Sequence, residues 1–218
     1  MEKKLILTMV IALFLGITSG GTLQAKKLTP GKKVDQNAAA ADSKGNSFTP
    51  FYIFMEDGSA MNHFSPSGWM GDTSDLILDT TWKKNTNGSN TVIKLSYTPK
   101  GPQGWAGVFW QEPANNWGTI KGGFNLTGAT KFVMYIRGDK GGERIGGFSI
   151  GGVLDGKVSS DTDKISIPSM VLTTDWKKIE VGLKGRDLSN IISGLSFSMG
   201  KGDNPDGATF YLDKVHFE

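Results

Sequence analysis

The sequence predicts an all-β domain, an antiparallel sandwich or barrel, and three observations carry the prediction. From Phe48 onward, aromatic and β-branched residues recur in short runs separated by Gly, Asn, Asp and Pro. Within the runs, apolar and polar residues alternate at the two-residue period of a half-buried strand. Nowhere in this stretch do apolar residues take the three-to-four spacing of an amphipathic helix. Glycine, at 30 residues against 8 prolines, follows no three-residue repeat. It suits tight turns between strands, not a collagen-like rod.

The strands can be read in order. Residues 51–56 form the first. Residues 91–97 put Ile93, Leu95 and Tyr97 on one face, with Lys94 and Ser96 on the other. Trp105–Gln111 is a third run, rich in tryptophan, with Trp105, Gly107 and Phe109 on one face and Ala106, Val108 and Trp110 on the other. Residues 131–137 turn Phe132, Met134 and Ile136 one way, and Val133, Tyr135 and Arg137 the other. Further strands are expected at 145–150, 164–167, 177–183, 194–199 and 209–217. The glycine-rich stretches 101–104 and 200–207 are turns; neither lies between a strand and a helix, as a phosphate-cradling loop must. The absence of any internal repeat argues against a propeller or solenoid.

Residues 1–25 read as a secretory signal. Lys3 and Lys4 precede a 13-residue apolar run, 5–17, and small or polar residues lead on to Ala25. That run is shorter than the roughly 20 residues a membrane span needs, so no span is expected after cleavage. Residues 26–47 are Lys, Ala, Asp, Asn and Gly with almost nothing apolar, and read as a flexible tether. The domain proper is then 48–218, exported to the periplasm or beyond the cell.

Composition removes several classes of function. The net charge is +3, of which Lys3, Lys4 and Glu2 in the leader supply +1, far from the basic footprint of a nucleic-acid binder. With no cysteine, disulfides, thiolate zinc sites and cysteine catalysis are excluded. A monomer is expected.

Three blocks carry a resemblance. Trp105-Ala106-Gly107-Val108-Phe109-Trp110-Gln111 is followed by Asn115-Asn116-Trp117-Gly118. Asn125-Leu126-Thr127-Gly128-Ala129-Thr130 then runs into a strand ending Arg137-Gly138. With the closing Phe210-Tyr211-Leu212-Asp213-Lys214-Val215, this order resembles the galactose-binding-like jelly-roll modules, the carbohydrate-binding domains of bacterial secreted glycanases. The resemblance covers about residues 50–218. It implies two packed antiparallel sheets, one of them concave, often a structural calcium ion, and no catalysis.

Sugar recognition needs a flat apolar plate under the ring and planar hydrogen-bonding groups around its hydroxyls. The segment 105–143 is dense in both, and Trp110, Gln111, Asn115, Asn116, Trp117, Tyr135, Arg137 and Glu143 are the candidate ligand-binding residues. Alternation allows only one of Trp105 and Trp110 to face a groove. Trp110 is favoured, because Gln111 and the Asn-Asn-Trp loop follow it. Tyr135 and Arg137, opposite the expected core set, join it.

Glu56 and Asp57 after the first strand, with Asp213 on the last, match where the resembled modules place calcium; Asp72 and Asp75 offer another loop of hard oxygens. These carboxylates also suit turns and a solvated surface. The leading expectation is a non-catalytic binder of a polysaccharide or glycan. The alternatives are a structural or adhesion sandwich with a protein partner, and a small polysaccharide lyase or hydrolase. A lyase would draw on His63, Gln111, Tyr135 and Arg137. No strand carries the paired carboxylates of a glycoside hydrolase.

Overall fold

A computed structural model describes residues 48–218; the expected signal peptide and tether lie outside the described residues. Twelve strands make two antiparallel sheets. They are β1 (Phe51–Phe54), β2 (Ser65–Gly71), β3 (Leu76–Trp82), β4 (Val92–Tyr97), β5 (Trp105–Gln111) and β6 (Lys131–Gly138). The chain continues through β7 (Arg144–Ile150), β8 (Ile165–Ile167), β9 (Met170–Val171), β10 (Lys177–Gly182), β11 (Ser193–Gly200) and β12 (Ala208–Phe217). The first sheet runs β10-β6-β12-β4-β3, with β1 also on β12; the second runs β2-β5-β11-β7-β8, with β9 on β7. From β4 to β7 each strand lies in the sheet opposite its predecessor, and the same holds from β10 to β12. The domain is an antiparallel β-sandwich of the jelly-roll kind.

The core is the product of strand alternation. Phe132, Met134 and Ile136 of β6, Ile93, Leu95 and Tyr97 of β4, and Phe210 and Leu212 of β12 point inward from the first sheet. Ala106, Val108 and Trp110 of β5, Leu195, Phe197 and Met199 of β11, and Ile145, Phe148 and Ile150 of β7 meet them from the second. A bulge in β12 centred on Lys214, at φ 47°, resets the period so that Val215 and Phe217 still face inward.

The inward set includes a first correction. Trp110 is 1% exposed and packs 6.1 Å from Phe197, centroid to centroid, inside the sandwich. Its strand partners Ala106 and Val108 are small and aliphatic, leaving the inter-sheet space that an indole fills. The strands β2, β3 and β9 are not among those expected from the sequence. β2 contains Pro66, Gly68 and Gly71, composition that belongs to an edge strand.

Candidate functional site

Each outer face can be read from the register. On the second sheet, one row across the strands is Gly68, Phe109, Ser196, Ser149 and Ser166. The next is Met70, Gly107, Ser198 and Gly146. Ser196 and Ser149 point outward yet are buried, so they lie below the side chains around them; their hydroxyl oxygens are 2.7 Å apart. Ser166 is exposed and Ser198 half-buried. Glycine is required at Gly107, where a Cβ would stand 2.6 Å from the Phe197 carbonyl oxygen. The result is a floor of hydroxyls and bare backbone.

Aromatic rings stand along β5 beside this floor. Trp105 is 38% exposed, and Phe109, four residues on, is half-buried. At a rise of about 3.3 Å per residue the two are roughly 13 Å apart along the strand. Trp117, 42% exposed, sets its ring edge against Phe109 at 5.3 Å. Trp105 and Phe109 are absent from the expected ligand set. The signal is present in β5: Trp-x-Gly-x-Phe is a sequence in which a bare position separates two plates, whereas Ala-x-Val-x-Trp is a core face of graded size.

The loop between β5 and β6 is built by two of the expected ligands, which it uses internally. Gln111 is fully buried; its Nε2 donates to the Asn116 carbonyl at 3.1 Å, and its Oε1 accepts from Ser67 at 3.3 Å. Asn116 is also fully buried. Its Oδ1 accepts from the Gly118 and Ile120 amides, and its Nδ2 donates to the Ile120 carbonyl. Both amides satisfy backbone groups that would otherwise be orphaned in a tight loop, so neither faces a ligand. Asn115 and Trp117 keep exposed side chains on this loop.

Tyr135 and Arg137 do share a face, but it is the outer face of the other sheet. Arg137 stacks 5.3 Å over the Tyr211 ring, and its Nε donates to the Gly138 carbonyl. Lys94 lies 3.9 Å over Trp82, and Lys214 6.0 Å over Tyr135. The 83–91 loop is tied down across this face: Lys214 donates to Asn87, Trp176 to Asn85, and Ser89 to Asp213. Burial first, then the hydrogen bond to Asp139, push the Tyr211 phenol up to about 12. Glu143 is buried in the β6–β7 turn, where its Oε1 accepts from the Asp139 and Lys140 amides at 2.9 and 2.7 Å. It clamps that turn. The expected eight-residue site is therefore divided: Trp117 and Asn115 stand beside one sheet and Tyr135 and Arg137 on the other, while Trp110, Gln111, Asn116 and Glu143 are interior.

The lyase set is divided in the same way. His63 stacks on Phe51 at 3.9 Å, where burial lowers its pKa, while Gln111 and the Tyr135–Arg137 pair belong to different sheets.

The carboxylates expected to hold a metal are each engaged in hydrogen bonds. Glu56 accepts from Asn90, Asp57 from Thr80, and Asp213 from Ser89. Asp72 accepts from the Gly104 amide, and Asp75 from the Lys100 and Gly101 amides. Among the described residues no three acidic or histidine side chains gather as a cation cage. Asp72 and Asp75 close the loop before β5, while Glu56, Asp57 and Asp213 bond to residues 80–90.

Asp213 is fully buried with one oxygen unpartnered, and burial raises its pKa against the opposing effects of Ser89 and Lys214. A carboxyl whose pKa rises on folding stabilises the fold fully below its unfolded value, and the contribution is lost as pH climbs through the folded value. Asp213→Asn is accordingly expected to melt higher than the parent at neutral pH, with the advantage gone below the ordinary value of 3.8. A lower melting temperature at neutral pH would contradict this account.

Fold and outer face together define a jelly-roll β-sandwich with solvent-facing aromatic rings beside a serine and glycine floor. No family model matches the chain, and no curated protein does. Among solved structures the chain is similar to the family 30 carbohydrate-binding module of a cellulosomal cellulase of Clostridium thermocellum, at 21% identity and TM-score 0.45, covering 78% of this chain and 98% of that one. It is similar also to a family 11 module from Clostridium thermocellum in complex with a β-1,3-1,4-mixed-linked tetrasaccharide (13%, TM-score 0.45, 75% and 92% covered). A third is a xylan-binding domain from Paenibacillus barcinonensis (12%, TM-score 0.44, 78% and 92% covered).

Proposed function

We propose that the domain is a non-catalytic carbohydrate-binding module of an exported protein, and that a polysaccharide or glycan chain lies on the outer face of the β2-β5-β11-β7-β8 sheet. The observation that carries this reading is the pair Trp105 and Trp117, large rings left in solvent at two ends of a hydroxyl-lined floor. Burying an indole against a sugar's C–H face recovers the cost of leaving it wet. Ser198 and Ser166 supply donors and acceptors to ring hydroxyls. The two rows carry no carboxylate, so acid–base cleavage of a glycosidic bond has no groups to draw on there.

The test is retardation in gels cast with a panel of soluble polysaccharides. The parent protein is expected to be slowed by at least one polymer, and Trp117→Ala to be slowed markedly less. Tyr135→Ala, on the opposite sheet, is expected to be retarded like the parent. Retardation lost with Tyr135→Ala but kept with Trp117→Ala would move the site to the other face and end this reading.

A further inference from the structure

We propose that Asp161 is the positioning residue of this site, acting through the 151–161 loop to hold Trp117 and Phe109 in place; the inference rests on the binding face proposed above. Asp161 is buried, and its two oxygens accept four hydrogen bonds: Oδ1 from the Ile192 and Ser193 amides at 2.6 and 2.9 Å, Oδ2 from the Val153 amide and the Ser193 hydroxyl, both at 2.7 Å. Its own amide donates to the Val153 carbonyl at 2.8 Å, so one residue closes the base of the loop and fastens it to β11. No lysine or arginine among the described residues lies within ion-pair distance of it. A buried carboxylate served only by uncharged donors is costly to keep unless all of them hold their geometry.

The loop reaches both rings. At its start Gly152 packs on Phe109, where an added Cβ would stand 3.1 Å from the ring. At its tip the Val158 amide donates to the Gly118 carbonyl at 2.8 Å, and the Ser159 hydroxyl to Gly122 at 3.0 Å. Gly118, at φ 78°, leaves no room for a Cβ beside Gly156, so the tip interlocks with the residue that follows Trp117. Trp117 is thus an exposed ring on a loop held by its neighbour, and that neighbour's anchor is Asp161. Fixing an exposed ring before the ligand arrives removes an ordering cost from binding.

Asp161→Asn keeps the shape but turns an acceptor into a donor facing other donors. Fluorotryptophan labelling gives one fluorine resonance for each of the six tryptophans, with Trp117 assigned from Trp117→Phe. In Asp161→Asn the Trp117 resonance is expected to shift and broaden while those of Trp82, in the other sheet, and Trp176, just before its strand β10, stay in place. Affinity for the retarding polysaccharide is expected to fall by up to about fivefold, no more than the loss of the ring itself. Ile136→Val, in the opposite sheet, is expected to lower the melting temperature with neither change. An Asp161→Asn protein with the parent's Trp117 resonance and affinity, or one in which all six resonances move together, overturns the proposal. Should Asp161→Asn not fold, Ser159→Ala, which removes the loop tip's side-chain bonds to Gly122 and Asn190, is read by the same two measurements. If no polysaccharide binds the parent, the binding face is wrong, while the Trp117 resonance still decides whether Asp161 positions that ring.

Discussion

Trp110→Ala is expected to lower the melting temperature by roughly 10–15 °C, far more than truncating any of the exposed rings. The indole is 1% exposed and packs against Phe197 of the neighbouring strand β11, within the space between the sheets. Truncating a buried tryptophan costs about 3–5 kcal/mol through lost burial and the cavity left behind. For a domain of this length each kcal/mol is worth about 3 °C. Scanning calorimetry checks the shift, and a change within about 3 °C of the parent would show that Trp110 is not a core residue.

The double substitution Trp105→Ala with Trp117→Ala is expected to do the reverse, abolishing detectable polysaccharide binding with the melting temperature almost unmoved. Each exposed ring contributes about 1 kcal/mol of stacking, so each loss weakens binding roughly fivefold and the pair about thirtyfold. Trp105 and Phe109, on which Trp117 rests, lie toward opposite ends of β5, so the two terms should add. Isothermal titration with an oligosaccharide long enough to reach both rings tests this, with each single variant as reference. A double variant binding no worse than either single would mean that only one ring touches the ligand.

Sequence reading recovers the strands that alternate strongly. The bounds expected for β5 match, and those of β4, β6, β7, β11 and β12 fall within a residue or so. The faces of β6 are also legible: Phe132, Met134 and Ile136 are fully buried, with Tyr135 and Arg137 opposite them. The error lies in deciding what an outer face does. Alternation reveals which residues share a side of a strand, but a sandwich has two outer faces, and nothing local to β6 states which one its tyrosine meets. The choice between Trp105 and Trp110 fails for a related reason. Proximity to the Asn115–Trp117 loop favours Trp110, whereas the size of its face-mates Ala106 and Val108 points inward.

Polar candidates mislead for a different reason. Gln111, Asn116 and Glu143 have the donor and acceptor sets a sugar would use, and those same sets suit backbone amides in tight turns. Sequence cannot distinguish the two customers. Burial can, and all three are buried. β2 escapes notice because edge strands are marked by proline and glycine, residues that read as loop in isolation.

The placement of β12 bears on how the chain acquires its shape. That segment, the last strand in order, touches β6, β4 and β1 and so forms the keel of its sheet. Until residues 208–217 have left the ribosome, β1 lacks its strand partner, β4 has only β3, and β6 can pair only with the later β10. Assembly of that sheet is therefore governed by contacts distant in sequence, which slows folding.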